Sequence, residues 1–237
     1  MAQIGEHGTQ TTAALVSADG VPLESDLVVP AGARGLVIFA HGSGSSRLSP
    51  RNREVARGLN DARLATLLFD LLTPEEEVAE AATRHLRFDI AMLARRLVAV
   101  TDWASARPEL ASLPIGYFGA STGAGAALVA AAARPQIIRA VVSRGGRPDL
   151  ARGALAQVMA PTLLIVGGND LVVMNFNRDA AEKLRCHHTL RVVDGAGHLF
   201  EEPGALAEVC ALAREWFQRY LVPAPELPAR LPDGREG

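Results

Sequence analysis

Ser121, Asp170 and His198 are the residue types that a proton relay to a nucleophile requires, and they follow one another in the order Ser, Asp, His. Ser121 lies in Gly119-Ala120-Ser121-Thr122-Gly123, between the apolar run Ile115–Phe118 and the alanine-rich stretch Ala124–Ala133. That context predicts a strand, a sharp turn and a helix, with the serine hydroxyl lifted above the sheet edge. Small residues around the serine allow the strand and helix to approach closely. A serine hydroxyl is a poor nucleophile until a base takes its proton, and imidazole, titrating near neutral pH, suits that work. The chemistry predicted is nucleophilic acyl transfer. The plainer alternative is a serine that caps a helix N-terminus.

Six histidines could serve as the base. His7 is in a polar leader, His187 and His188 follow a helical stretch, His85 starts a charged one, and His41 ends a strand in Ala40-His41-Gly42. His198, in Gly195-Ala196-Gly197-His198, follows the last strand in a loop of small residues and is the predicted base. Asp170 ends Leu164-Ile165-Val166-Gly167-Gly168-Asn169-Asp170 and is predicted to orient the imidazole. Its alternative is an aspartate that only shapes a turn; Asp194 and Asp149 are rivals for the role. For the oxyanion, the N–H of Thr122 at a helix N-terminus is one expected donor. The second is expected from His41-Gly42-Ser43-Gly44-Ser45-Ser46, with Ser43 preferred and Gly44 next. Arg144 and Arg147, in Ser143-Arg144-Gly145-Gly146-Arg147, could fork onto a substrate carboxylate, as could Arg47; a salt-bridged loop is the competing expectation. No Walker-type or dinucleotide glycine motif is present, and no His/Cys grouping has metal-ligand spacing, so neither cofactor nor metal is expected.

The elements that must hold these residues follow from periodicity. About eight strands are predicted: Thr12–Val16, Leu23–Val29, Leu36–Ala40, Ala65–Phe69, Ile115–Phe118, Ala140–Ser143, Thr162–Val166 and Leu190–Val193. Helices are expected at Pro50–Asn60, Arg84–Ala106, Gly123–Ala133, Asn177–Leu184 and Ala205–Tyr220. The alternation implies an α/β fold, a mostly parallel sheet flanked by helices on both faces. Only Arg144 to Pro161 separates the sixth predicted strand from the seventh, so no lid domain is expected and the site should be an open cleft at the strand ends. One domain is expected over residues 11–221, with a flexible N-terminus at 1–10 and a flexible proline-rich tail at 222–237. Cys210 falls on the apolar stripe of the last helix. With 237 residues and a net charge of −2, nothing favours nucleic acid or an anionic membrane. No membrane span or signal-peptide core is evident, and the two cysteines form no disulfide framework. A cytoplasmic protein acting on a small molecule is the expectation, with oligomeric state left open.

Phe39-Ala40-His41-Gly42-Ser43-Gly44, Gly119-Ala120-Ser121-Thr122-Gly123, Val166-Gly167-Gly168-Asn169-Asp170 and Gly195-Ala196-Gly197-His198 together resemble an α/β-hydrolase of the dienelactone-hydrolase-like group. The resemblance runs from about Leu15 to Tyr220. It implies a mostly parallel eight-stranded sheet, the Ser121–His198–Asp170 triad, no cofactor, and hydrolysis of an ester or lactone. Dienelactone hydrolases proper carry cysteine on the elbow, where this chain has Ser121. Some look-alikes are fused to phosphoribosyltransferase-like domains. A serine esterase or lactonase is the leading expectation; a non-catalytic binding or scaffold protein on this fold, and an acyltransferase or C–C hydrolase with the same triad, are the alternatives.

Overall fold

A computed structural model describes residues 3–4 and 10–222. The expected segments at 1–10 and 222–237 lie almost wholly outside those residues. In chain order the elements are β1 (Gln3–Ile4), β2 (Gln10–Ala18), β3 (Val21–Val28), β4 (Leu36–Ala40), α1 (Pro50–Asp61), β5 (Ala65–Phe69), α2 (Pro74–Thr83), α3 (Ile90–Ser105), β6 (Ile115–Ala120), α4 (Thr122–Ala133), β7 (Ile138–Arg144), β8 (Thr162–Gly167), α5 (Leu171–Lys183), β9 (His188–Val193) and α6 (Ala205–Leu221). The strands form one sheet in the order β1-β2-β3-β5-β4-β6-β7-β8-β9. From β5 to β9 all neighbours are parallel, while β1, β2 and β3 add an antiparallel edge. Eight of these strands are the predicted ones; the two-residue β1 is additional.

The apolar runs in the central strands have a direct cause. Leu36, Ile38 and Ala40 of β4 enter the core under α3 and α4, while Val37 and Phe39 enter the core under α1 and α6. A strand buried on both faces cannot alternate with polar residues. Cys210 of α6 packs against the second core. Among the described residues no helix is long and apolar enough to cross a membrane.

The helices differ from expectation in three places. The predicted helix Arg84–Ala106 begins later, at Ile90. α2 ends at Arg84 in the left-handed region (φ 56°), a short 3-10 turn covers Leu86–Phe88, and α3 starts afresh where Asp89 accepts the Met92 N–H at 2.9 Å. α2 itself begins with a reciprocal capping box, Thr73 with Glu76, around the Glu75-Glu76-Glu77 run. α5 starts at Leu171 rather than Asn177, because Asp170 caps it. Between β7 and β8 the chain forms 3-10 turns over Pro148–Gln157, broken at Arg152, and no further domain.

Candidate active site

The sheet delivers three loops to one edge. β6 ends at Ala120, and the chain turns within one residue: Ser121 has φ 50° and ψ −121° before α4 begins. A non-glycine residue in such a sparsely populated region costs about 1–3 kcal/mol, so its surroundings must enforce it. The flanking glycines are part of that enforcement. A Cβ on Gly119 would stand 2.4 Å from Ala124 Cα, and one on Gly123 would stand 2.2 Å from the Ala40 carbonyl oxygen. The Ser121 N–H is held by the Arg144 carbonyl at 3.2 Å.

Asp170 does two jobs. As the cap of α5, its Oδ1 accepts the Val173 N–H at 3.4 Å, and its Oδ2 accepts from His198 Nδ1 at 2.6 Å. The opposite ring nitrogen, Nε2, stands 3.3 Å from Ser121 Oγ. With Nδ1–H donated to the carboxylate, Nε2 is left as the acceptor that faces the hydroxyl. The three residues expected to form the relay are therefore brought into one hydrogen-bonded line. The rivals are elsewhere: Asp194 is exposed, and Asp149 forms a bidentate pair with Arg147 at 2.8 Å.

Asn169 laces the two loops together, a role the sequence did not reveal. Its N–H donates to the Ala196 carbonyl at 2.9 Å and its side-chain amide to the Gly195 carbonyl at 2.7 Å. Glu202 braces the His198 loop from within by accepting the Gly197 N–H at 2.9 Å. The loop is close to Gly167, where a Cβ would stand 2.4 Å from the Ala196 carbonyl oxygen.

The loop after β4 is set by His41. Its ring is buried, donates Nδ1–H to the Gly42 carbonyl at 3.0 Å, and accepts the Leu71 N–H on Nε2 at 2.9 Å. Burial pushes its pKa below the ordinary imidazole value, against the Gly42 hydrogen bond and the Asp70 charge, which both raise it. His41 is thus a neutral strut. Gly42 packs so closely that a Cβ there would stand 3.0 Å from Ser121 Cβ. The Ser43 N–H does not point into empty space. It donates to Thr122 Oγ1 at 3.1 Å, and the two hydroxyls of Ser43 and Thr122 are 3.0 Å apart. The Thr122 N–H belongs to the first turn of α4, whose amides have no partner within the helix. The Thr122 side chain was not anticipated as a partner for the Ser43 amide.

A cleft of about 400 Å³ opens over Ser121 and His198, lined by the Gly42–Ser46 loop, the start of α1, Arg144 and Leu199. That volume is within the usual range for small-molecule sites. A larger hollow of about 480 Å³, bordered by Asp26, Arg53 and Asn60, contains none of the relay residues. Of the expected arginines, Arg144 reaches the cleft and Arg147 does not: Arg147 is paired with Asp149 and lies over the Phe176 ring at 4.7 Å. Arg47 is drawn away by Asp70 and by Glu24, the latter at 2.5 Å. Arg51, which sequence reasoning missed, lines the cleft from α1. Among the described residues no group of His, Cys, Asp and Glu could hold a metal ion.

The dienelactone hydrolase family profile matches residues 34–221. A crystal structure of dienelactone hydrolase from Anabaena variabilis is 61% identical, covers 91% of this chain and 100% of its own, and superposes with a TM-score of 0.89. An α/β serine hydrolase without lid from Xanthomonas campestris shares the fold at 21% identity, with a TM-score of 0.71 over 91% of this chain and 97% of its own. Two Mycobacterium tuberculosis relatives that bear a phosphoribosyl transferase name are 59% identical over 206 residues. That match takes in 87% of this chain but 46% of theirs, so the chain spans less than half of those proteins. The chain belongs to the dienelactone hydrolase family and has the α/β-hydrolase fold.

Proposed function

We propose that the protein is a serine carboxylic-ester hydrolase acting on a small or accessible ester or lactone. The observation that carries this is the relay itself: Asp170 Oδ2 to His198 Nδ1 at 2.6 Å, and His198 Nε2 to Ser121 Oγ at 3.3 Å. The second distance is long for a hydrogen bond to a hydroxyl, and such contacts commonly shorten when substrate binds. Ser121 Oγ attacks the carbonyl carbon while His198 Nε2 takes its proton. Asp170 holds the ring and stabilises the imidazolium. The Thr122 and Ser43 amides stabilise the negative oxygen that forms, so the Ser43 N–H exchanges the Thr122 hydroxyl for that oxygen. His198 then protonates the leaving alcohol, and water, activated by the same imidazole, releases the acid and restores Ser121.

The cleft, walled by loops without an inserted domain, suits short or exposed esters better than long acyl chains. We place its action in the cytoplasm on a small molecule, without cofactor. The test is turnover of p-nitrophenyl acetate by the wild type, Ser121→Ala and His198→Ala. Each variant is expected to lose about 10⁴-fold or more in kcat while remaining folded. Equal turnover by wild type and Ser121→Ala contradicts the assignment.

A further inference from the structure

Arg144 poses a question that the relay does not answer. It ends β7 beside the nucleophile, its residue is 7% exposed, and it lines the same cleft as Ser121 and His198. Its Nε and Nη1 are buried with no hydrogen-bond partner, and no carboxylate pairs with it among the described residues. Its neighbours are the Phe200 ring, 6.0 Å from the guanidinium carbon, and the like charge of Arg51. A buried charge without a partner is a costly arrangement. Burial first, and Arg51 second, push its pKa down to about 10. Arg51 lines the same cleft, and its Nη1 is tied to Glu201 at 2.7 Å while its Nε is buried and unpartnered. Ser43, Ser45, Ser46 and Ser49 complete that wall.

We propose that Arg144 and Arg51 form an anion subsite that receives a dianionic phosphate group carried by the ester substrate, next to the carbonyl that Ser121 attacks. The inference rests on the esterase assignment and adds the substrate class. Glu201 already pairs with Arg51 Nη1, so the uncompensated charge is that of Arg144, and an anion with three acceptor oxygens can answer Arg144 Nε and Nη1 together with the unpartnered Arg51 Nε. A carboxylate has two acceptor oxygens for these three N–H groups, one fewer than a phosphate. The hydroxyl-rich wall offers further donors to a third oxygen. The cleft volume of about 400 Å³ limits the spacer between phosphate and carbonyl to a short one.

The experiment compares kcat/KM for three p-nitrophenyl esters with the same leaving group: butyrate, hemisuccinate and 3-phosphonopropanoate. The phosphonate ester is expected to exceed both others by about 10-fold or more, about 1.4 kcal/mol of differential binding. Inorganic phosphate is expected to compete with it. Arg144→Gln is expected to collapse the ratio of phosphonate to butyrate turnover toward one. Arg51→Gln, at a more exposed position, is expected to reduce the same ratio and serves if the buried variant fails to fold. A ratio near one in the wild type, a preference for hemisuccinate, or a ratio unmoved by both substitutions overturns the proposal. Labelling of Ser121 by an uncharged fluorophosphonate reports separately on the esterase assignment. Labelled Ser121 without phosphonate preference removes the subsite alone. Phosphate binding without labelling removes the esterase.

Discussion

Asp170→Asn separates the two jobs of one carboxylate. Oδ2 accepts from His198 Nδ1 at 2.6 Å, while Oδ1 accepts the Val173 N–H at 3.4 Å. Asparagine matches aspartate in shape and is as good a helix cap, so folding should be little affected. The relay should not survive. An amide NH2 turned toward Nδ1 requires that nitrogen to be bare, which moves the ring proton to Nε2, the atom that must accept from Ser121. If the amide oxygen faces the ring, the tautomer is kept, but the negative charge that stabilises the imidazolium is gone. A wrong tautomer costs about 10⁴-fold in kcat, equivalent to about 5.4 kcal/mol of barrier. The stability change should stay below about 1 kcal/mol, a Tm shift of about 2–4 °C at most for a domain of this size. The assay pairs p-nitrophenyl acetate kinetics with thermal unfolding on the same preparation. A loss of less than about 10-fold, or a loss accompanied by collapse of Tm, refutes the reasoning.

Other substitutions probe the scaffold. Gly123→Ala puts a methyl group 2.2 Å from the Ala40 carbonyl oxygen and 2.4 Å from that of His41. It is expected to cost about 1–3 kcal/mol in denaturant unfolding and to displace the loop after β4, lowering kcat as well. Glu76 makes a bidentate pair with the buried Arg96 at 2.6 Å and caps α2. Glu76→Ala strands that guanidinium and should cost about 3 kcal/mol or more, measured as a fall in the denaturation midpoint. His41 is kept neutral by burial, so its folded pKa lies below its unfolded value. As pH falls below about 6.5 the unfolded chain takes up the proton first, and stability should decline until the folded pKa is reached. Comparing Tm from pH 8 to pH 5 for the wild type and His41→Gln checks this: the variant should start lower and show a shallower acid slope.

Much of the site was legible because its constraints are local. Ser121 between Gly119 and Gly123 marks a turn too tight for side chains, and the structure places other backbone within 2.5 Å of where their Cβ atoms would be. The strands were legible because burial on both faces leaves continuous apolar runs. What escaped notice depends on contacts between distant segments. Nothing in the sequence says that Asn169 reaches Gly195, or that the Thr122 hydroxyl accepts the Ser43 amide. Arg144 and Arg147 look alike as neighbours in one loop, yet Asp149 claims Arg147 and leaves Arg144 in the cleft. The helix expected from Arg84 to Ala106 shows the limit of periodicity. The expected start at Arg84 is instead the left-handed end of α2, and the helix begins at Ile90, where Asp89 caps it. The same holds for α5, whose Leu171-Val172-Val173 start has β-branched character and becomes helical because Asp170 caps it.

The most direct measurement is the mass of the protein after exposure to a fluorophosphonate, with the modified peptide mapped. One adduct per chain, on Ser121 and absent from Ser121→Ala, is the result expected from a hydroxyl activated by His198 and Asp170. A folded protein that gains no mass, or gains it on another residue, contradicts the account.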